Sequence, residues 1–508
     1  MGIRNGQLFV IDGDLTQLHC DAVLVPVDRS LHVTETWSAL IGAGQVQDAE
    51  VPAGWGGDVR AFRYRTPQSG PQIWLGCIGA FDSPPDWYAQ GLVDFIERVC
   101  AAWPLVAGAH RPRVAVNVGG SGAGGSAHDK GHLFRTIVPA LSEAADRLDV
   151  DVALVCWGEK QYAAAQRARK WQLRPAEAVD SRGAALRTAA EFIAKVAQSS
   201  DLVLFVGAGV SMGAGLKSWQ GLLDELLLRA DQPIADTERL RQLDVRDQAH
   251  LISKHFATPE GYRAAFSGLL ESRRYSLAHG LLASLRTREA ITTNYDDLYE
   301  RAASTAGKTC AVLPYEPVLK HDRWLLKLHG TVDRPDEIVL TRHDYLGLPA
   351  RAGALFGVLQ AMLMTRHMLF VGYSLTDDSF HQVMHEVRQA RAGVPGKVGT
   401  AIVLFDDPLL EELWGDELDI VAIAPQPSKG PSAADVSAAA RDLDRFLDHV
   451  GLLAADVTSF LLDPTYASML DDEERALSKE LAEAAFLVKG GSGPIAKRLQ
   501  EQFARLGA

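Results

Sequence analysis

The chain has 508 residues, of which 47% are hydrophobic and 23% are charged, and this composition is typical of a globular protein with about two to four domains. Its formal net charge of −13 argues against a general nucleic-acid binder. The five cysteines are scattered without a CxxC pair, which disfavours both a four-cysteine zinc site and a disulfide framework. Because we find no signal peptide and no apolar run of membrane-spanning length, we expect a cytoplasmic protein with no membrane partner.

Residues 1–175 alternate between strand and helix patterns. A helix is predicted at Leu133–Leu148, and short apolar runs predict five strands, at Leu8–Ile11, Asp21–Val27, Ile73–Ile78, Val114–Val118 and Val152–Trp157. Strands separated by helical segments predict an α/β domain whose parallel or mixed sheet is covered on both faces.

A glycine-rich loop follows the fourth of these strands and precedes the predicted helix. Its glycines are Gly119, Gly120, Gly122, Gly124 and Gly125. Glycines let backbone N–H groups approach an anion closely, so this loop is typical of a pyrophosphate cradle. The alternative is a flexible surface loop. We favour the cradle, because a connection between a buried strand and a helix seldom needs so much glycine.

This first region resembles the macro domains, which are α/β modules that bind ADP-ribose. The resemblance lies in Val10–Thr16 (VIDGDLT), in Asp21–Asp28 (DAVLVPVD) and in the glycine-rich loop. It implies that Asp14 accepts a hydrogen bond from the adenine amine and that the glycine-rich loop wraps the diphosphate. The asparagine-rich segment of the family is Pro26-Val27-Asp28 here, so the resemblance implies binding of an ADP-ribose-like or cyclic nucleotide signal rather than hydrolysis.

The second region is organised around Leu202–Trp219, in which an apolar run is followed by a glycine-rich turn and then by a helical pattern from Ser218. Three later apolar runs are likewise predicted strands, and each is followed by polar residues. Ligands of open α/β sheets bind at the carboxyl ends of the strands. The four strand ends therefore provide the candidate site residues: Gly207, Ala208, Gly209, Ser211, Asn294, Asp296, His329, Gly372, Ser374 and Asp377.

Each polar candidate also has an ordinary structural explanation. The Asn294 amide can donate and accept, which suits a carboxamide or a water, but Asn294 or Asp296 could instead cap the helix predicted from Leu298. His329 ends a strand and suits a general base, although a histidine there can simply bond to a neighbouring backbone group. Asp377 could bind a ribose hydroxyl or cap the following helix.

Taken together, the segments GAGVS, TTNYD, KLHG and GYSLTD resemble the sirtuin family, whose Rossmann-like parallel-sheet domain binds NAD. The resemblance covers residues 184–449. It implies that Asn294 positions the water or the nicotinamide ribose and that His329 is the general base. It also implies NAD-binding roles for the following residues: Gly207, Ala208, Gly209, Ser211, Asp296, Gly372, Ser374 and Asp377.

One departure from the protein-deacylating sirtuins and one further resemblance refine this interpretation. Their four-cysteine zinc module is absent, so we expect no zinc or other metal. The segment Gly215–Trp219 (GLKSW) is similar to bacterial anti-phage sirtuin-like effectors of Thoeris and short-Argonaute systems, which cleave NAD to nicotinamide and ADP-ribose. The resemblance implies a regulated NAD+ glycohydrolase of abortive infection that forms a homo-oligomer and acts with a defence-system partner protein. An NAD-dependent protein deacylase and a non-catalytic ADP-ribose or NAD sensor stay open as alternatives.

The predicted organisation is thus a macro-like domain at 1–175, a sirtuin-like catalytic domain at 184–449 and a helical C-terminal tail at 450–508. The helical stretches between the first two strands of the second region could cap its cleft. The tail shows no catalytic signal, and we expect it to serve packing or oligomerisation.

Overall fold

A computed structural model describes residues 6–42, 44–78, 83–103, 111–121, 127–172, 181–305 and 307–508. The chain divides into two compact units. Unit 1 comprises residues 1–178 and 455–508, and unit 2 comprises residues 179–454. The C-terminal helices, which we expected to form a tail of their own, therefore belong to the same unit as the N-terminal domain.

The first part of unit 1 alternates strands and helices. Its elements are β1 (Leu8–Asp12), β2 (Ala22–Val27), β3 (His32–Val33), α1 (Ser38–Ile41), β4 (Gly44–Gln45), β5 (Ala61–Arg65), β6 (Gln72–Cys77), α2 (Pro85–Ala102), β7 (Arg113–Asn117), α3 (Lys130–Leu148), β8 (Asp151–Cys156) and α4 (Glu159–Lys170).

The main sheet of unit 1 has six strands in the order β1-β8-β7-β2-β6-β5. Its first five strands run parallel, and only the edge strand β5 is antiparallel to its neighbour. All six residues of β8 are buried, as expected for a strand covered on both faces. In β5, with the sequence AFRYR, only Ala61 is buried and both arginines are exposed, which is why its apolar pattern is too weak to predict a strand.

Elements of the C-terminal segment complete the core of unit 1. Two 3-10 turns, Thr458–Phe460 and Pro464–Met469, precede α17 (Asp472–Val488) and α18 (Pro494–Arg505). Phe460 and Tyr466 are buried in the core and stack with ring centroids 5.2 Å apart. Burying two aromatic side chains of this size stabilises the unit by several kcal/mol, on the order of 1.5–3 kcal/mol each.

Unit 2 begins with α5 (Ser181–Gln198). Its other elements are β9 (Leu202–Val206), α6 (Ala208–Met212), α7 (Trp219–Arg229), α8 (Thr237–Arg241), α9 (Val245–Ser253), α10 (Pro259–Leu269), α11 (Leu277–Ala283), β10 (Glu289–Thr292), α12 (Leu298–Ala303), β11 (Cys310–Leu313), β12 (Arg323–Lys327), α13 (Arg342–Thr365), β13 (His367–Val371), α14 (Asp378–Ala390), β14 (Gly399–Phe405), α15 (Pro408–Trp414), β15 (Leu418–Ala424) and α16 (Ala433–Ala454).

The sheet of unit 2 has seven parallel strands in the order β11-β12-β10-β9-β13-β14-β15. From β9 the chain adds β10 beside it, passes to the edge strand β11, fills the gap with β12, and then continues with β13 on the other side of β9. The strand order therefore reverses at β9, and ligands of doubly wound sheets bind outside the carboxyl end of such a reversal. This topology confirms the predicted Rossmann-like parallel sheet.

Helices α7 to α10 form an insert between β9 and β10 with a hydrophobic cluster of their own. This cluster also includes Tyr295, from the loop after β10, and Ile338 and Leu340, from the segment after β12. The Trp219 ring stacks on Tyr295 with centroids 6.0 Å apart. The insert thus packs against the loops that leave the carboxyl ends of the central strands, as the sequence led us to suppose.

Helix α13 is, within the described ranges, the one helix long and apolar enough to cross a membrane by length and composition alone. Leu348, Phe356, Leu359 and Leu363 of this helix are buried in the hydrophobic core of unit 2. These four side chains pack in the core, whereas 28% of the most apolar window of the helix is buried in all.

Candidate active site

The register of the central strands brings the four predicted motifs to one edge of the sheet. Val206 at the end of β9 is paired with Thr292 of β10 and with Val371 of β13, and Thr292 is paired with Lys327 of β12. The loops that follow these strands therefore start side by side. The sequence segments GAGVS, TTNYD, KLHG and GYSLTD lie in these four loops.

The glycines of two neighbouring loops serve a close approach of backbone to backbone. A Cβ on Gly207 would lie 2.3 Å from the carbonyl oxygen of Gly372, and a Cβ on Gly209 would lie 2.9 Å from Gly372 Cα. The N–H groups of Gly207 and Gly209 donate to the carbonyl oxygens of Val371 and Gly372, both at 2.9 Å. These two N–H groups thus bond within the protein, and the glycines position the turn at Ala208, which opens α6.

Three buried polar side chains meet behind this turn. Ser211 Oγ donates to Asp296 Oδ2 at 2.9 Å and accepts from Asn294 Nδ2 at 3.2 Å. Ser211 is 3% exposed, Asp296 is 6% exposed and Asn294 is 8% exposed. The other oxygen of Asp296 accepts from the backbone N–H of Leu298 at 3.1 Å, so this carboxylate also fixes the start of α12. The structure therefore brings the candidate residues Ser211, Asn294 and Asp296 together.

The backbone beside Asn294 is fixed by a hydroxyl at the end of β10. The Asn294 N–H donates to Thr292 Oγ1 at 2.9 Å, and Thr292 Oγ1 donates to the carbonyl oxygen of Val206 at 2.7 Å. The Asn294 side chain is thus held from both ends, by Thr292 through its backbone and by Ser211 through its amide. Such double support is what orienting a reactant requires.

His279 joins this group from α11. Ser276 caps α11 and forms a capping box in which the Ser276 N–H donates to His279 Nδ1 at 3.3 Å. His279 Nε2 lies 3.5 Å from Ser211 Oγ. Burial lowers the pKa of His279 to about 4, so the ring is neutral near pH 7. Nothing local in the sequence signals this contact, because it depends on how α11 packs behind α6.

His329 lies at the carboxyl end of β12, and its side chain is 2% exposed. Its Nε2 atom is buried and has no hydrogen-bond partner among the described residues. Tyr345 packs edge-on against the imidazole with ring centroids 5.2 Å apart. Burial lowers the pKa of His329, and the Asp377 carboxylate opposes this effect. The lowered pKa favours the neutral imidazole near pH 7, and its Nε2 atom has no hydrogen-bond partner within the described residues.

Gly330, directly after His329, lies at a close approach of the chain to the segment around Glu337. It has a φ of +89°, and a Cβ there would lie 2.7 Å from the carbonyl oxygen of Glu337. The glycine is required because the chain turns sharply against the segment that returns toward α13.

Asp377 both caps a helix and faces His329. One carboxylate oxygen accepts from the N–H groups of Ser379 and Phe380 at the start of α14, at 2.9 and 3.2 Å. The other oxygen lies 3.7 Å from His329 Nε2 and 3.5 Å from the Tyr345 hydroxyl. Ser374 is exposed, and its Oγ bonds to Thr376 Oγ1 at 2.7 Å. Only Asp377 of these two candidates therefore touches the buried part of the site.

The candidate nucleotide site of unit 1 is described only in part, since Gly122, Gly124 and Gly125 lie outside the described residues. Gly120 has a φ of +81°, and a Cβ there would lie 2.7 Å from the Tyr88 ring. Asp14 accepts from the Thr16 N–H and hydroxyl at 2.9 and 2.7 Å, and from Gln17 Nε2 at 3.0 Å. Its carboxylate thus caps a short 3-10 turn.

The described residues include no group of three or more His, Cys, Asp or Glu side chains placed to hold a metal ion. All five cysteines are free thiols. The chemistry available at the edge of the unit 2 sheet is therefore that of an imidazole, carboxylates, an amide and a hydroxyl.

Comparison with known proteins assigns the fold of this sheet. Residues 288–423 match the family model described as a SIR2-like domain. Unit 2 therefore contains a SIR2-like domain, which confirms the predicted sirtuin-like fold.

Three curated relatives extend the match. A protein named NAD(+) hydrolase ThsA from Bacillus cereus (strain MSX-D12) is 30% identical over 206 residues, which are 39% of this chain and 42% of that protein. A protein of the same name from Enterococcus faecium is 29% identical over 205 residues, 38% of this chain and 41% of its own length. Defense-associated sirtuin 2 from Bacillus subtilis is 26% identical over 213 residues, 39% of this chain and 21% of that protein.

The matched part of the chain thus spans about two fifths or less of these relatives. The names confirm the predicted likeness to sirtuin-like proteins of anti-phage defence. The macro-like character of residues 1–175 stays a prediction.

Proposed function

We propose that unit 2 hydrolyses NAD+ to nicotinamide and ADP-ribose. The observation that carries this proposal is the buried, unpartnered Nε2 of His329 at the strand edge that also holds the Ser211–Asn294–Asp296 group. A buried polar atom without a partner is unfavourable by about 1–3 kcal/mol and calls for an explanation. A proton-accepting role toward a bound reactant provides one.

The reaction needs little more than orientation and a base. Nicotinamide leaves from the ribose anomeric carbon with the electron pair of the broken C–N bond, and because it starts as a cation it needs no acid. A water oxygen then bonds to the oxocarbenium-like carbon, and its proton goes to His329 Nε2. The Asn294 amide orients the water or the nicotinamide ribose. Positioning and base catalysis of this kind each contribute large factors, the second about 10²–10⁴-fold.

We propose that the chain acts as a regulated effector of bacterial anti-phage defence in the cytoplasm. The names of the relatives support this role, since two are NAD(+) hydrolases and one is a defence-associated sirtuin. We further propose that unit 1 binds an ADP-ribose-like or cyclic nucleotide that switches the activity, and that a homo-oligomer and a defence partner take part. A ligand can shift such an equilibrium only by binding the two states unequally.

The direct test is chromatographic analysis of the purified full-length chain with NAD+ alone. We expect nicotinamide and ADP-ribose from the wild type, and neither from His329→Ala or Asn294→Ala. His385→Ala is the matched control, because His385 is an exposed histidine of α14. Undiminished release by both site variants would contradict the assignment of the site.

The two alternatives give different results in the same assay. A protein deacylase would release nicotinamide only when an acylated lysine peptide is present. A non-catalytic sensor would bind NAD+ or ADP-ribose in calorimetry without forming products. An activating nucleotide in unit 1 would raise the rate when ADP-ribose or a cyclic relative is added.

A further inference from the structure

Lys327 is a completely buried lysine at the last position of β12, and it is 1% exposed. Its ammonium forms an ion pair with Glu300 Oε1 of α12 at 2.7 Å. It also donates to the carbonyl oxygens of Tyr295, at 3.2 Å, and of Asp296, and to Thr331 Oγ1 at 3.3 Å. Lysine is almost never buried without such partners.

The partners of the ammonium lie on the two segments that hold the proposed catalytic side chains. Tyr295 and Asp296 directly follow Asn294 in the loop after β10. Thr331 lies two residues after His329, and Lys327 itself lies two residues before it. One ammonium therefore connects the backbone beside Asn294 with residues on both sides of His329, namely Lys327 itself and the Thr331 hydroxyl.

A buried ion pair is a poor source of stability. Removing both charges from water is expensive, and well-packed apolar residues in the same place are often as stable or more stable. Burial raises the pKa of Glu300 and the Lys327 ammonium opposes this effect, so burial disfavours the ionised form of this carboxylate. Stability alone therefore does not explain why a lysine occupies this position.

We propose that Lys327, held by Glu300, is a positioning residue that fixes the Asn294 segment relative to the His329 segment. It touches neither substrate nor reacting atoms. This inference rests on the proposed hydrolysis of NAD+ by unit 2, in which Asn294 and His329 must act on the same ribose. A misplacement of about 1 Å in such a pair lowers the rate on the order of 10²-fold.

Arg323 at the first position of β12 supplies a matched control. It is also buried, at 7% exposed, and it also donates to backbone carbonyl oxygens, those of Ala283 and Leu285. These acceptors lie at the end of α11 and in the loop that follows it, beside the end of β12 that is away from the site. Arg323→Met removes a buried cation from the same strand without touching the Asn294 or His329 segment.

The kinetic test compares Lys327→Met, Arg323→Met and the double variant Lys327→Met with Glu300→Met, each at a temperature where it is folded. We expect kcat for nicotinamide release to fall about 10²-fold in Lys327→Met with little change in KM. Arg323→Met should lower the melting temperature and leave kcat near the wild-type value. The double variant should regain thermal stability, because no unpaired carboxylate is left buried, but should not regain kcat. A kcat that recovers together with stability would overturn the proposal.

Hydrogen exchange tests the positioning without relying on turnover. We expect Lys327→Met to speed amide exchange in residues 293–298 and 328–331, and Arg323→Met to speed it in residues 283–289 instead. The same exchange in both variants would overturn the positioning role. If the wild type fails to release nicotinamide while the exchange pattern is as expected, the proposed hydrolysis is at fault and the bridging role of Lys327 stands.

Discussion

His279 and His329 are both wholly buried in unit 2, and burial lowers the pKa of each, yet their surroundings differ in one respect. His279 has Nδ1 bonded within its capping box and Nε2 facing the Ser211 hydroxyl. His329 has an Nε2 with no partner among the described residues. A buried histidine is therefore not in itself a sign of catalysis. What marks His329 is a buried ring nitrogen without a hydrogen-bond partner at the carboxyl end of a central strand, 3.7 Å from the Asp377 carboxylate.

The largest expected effect separates the two histidines by activity. His329→Gln should lower kcat for nicotinamide release by about 10²–10⁴-fold, because the proton acceptor is lost. His279→Gln should keep most of the activity, because Ser276 followed by glutamine three residues later is itself a capping-box sequence. Steady-state assays of both variants with NAD+ measure this difference. Equal losses in the two variants would show that burial, rather than the free nitrogen, is what matters.

The second prediction concerns His279 and the loss of folding stability at acidic pH. The pKa of His279 falls from 6.5 to about 4 on folding, so the unfolded chain binds the extra proton. Stability from this group is present above pH 6.5 and is lost as the pH falls toward 4, by about 3 kcal/mol in all. Urea unfolding of the wild type and of His279→Gln between pH 7 and 4.5 measures it. We expect the variant to lose clearly less stability over this interval.

A third prediction compares two serine hydroxyls near His279, those of Ser211 and Ser276. Ser211→Ala removes the donor to Asp296 Oδ2 and the acceptor of Asn294 Nδ2, so we expect the unfolding free energy to fall by about 1–3 kcal/mol and kcat to fall as the Asn294 amide loses its support. Ser276→Ala removes the cap of α11, and we expect a loss of about 0.5–2 kcal/mol with kcat largely retained. Urea unfolding and nicotinamide assays on the same samples compare the two. A retained kcat in Ser211→Ala would show that Thr292 alone holds Asn294 in place.

Much of the unit 2 site was predictable because a parallel sheet turns sequence order into geometry. Short apolar runs predicted β9, β10, β12 and β13, and once these strands are parallel neighbours their ends must meet. The placement of Asn294, His329 and Asp377 at one edge of the sheet follows from this parallel arrangement alone. The glycines were recognised for the same reason, but Gly207 and Gly209 turn out to contact Gly372 rather than to offer their N–H groups outward.

The remaining parts of the site depend on packing between distant elements. Tyr345 reaches His329 from α13, and His279 reaches Ser211 from α11, although neither segment carries a motif. Lys327 is part of the KLHG segment. Its burial could not be predicted, because its partners are Glu300 and backbone carbonyl oxygens, which a pattern of side chains does not indicate. Unit 1 shows the same limit, since Phe460 and Tyr466 enter its core from the far end of the sequence.

The smallest expected effect is on the pH profile, and it tests whether Asp377 tunes the free nitrogen of His329. Asp377→Asn keeps the helix cap, since asparagine and aspartate cap helices about equally well, but it removes the negative charge 3.7 Å from Nε2. Because that charge raises a pKa that burial lowers, the pKa of His329 should fall further in the variant. A base works in its neutral form, so activity is lost as the pH falls through this pKa. The acid limb of the kcat profile should therefore move to lower pH in Asp377→Asn.

The control for this shift is Asp407→Asn. Asp407 caps α15 through the Leu409 and Leu410 N–H groups, at 3.0 and 3.3 Å, in the same way that Asp377 caps α14. Its substitution should leave the acid limb unchanged. A shift toward higher pH in Asp377→Asn would mean that the carboxylate acts on substrate rather than on the imidazole. No shift at all would mean that the acid limb belongs to a group other than His329, and the contrast between the two buried histidines would then lose its catalytic meaning.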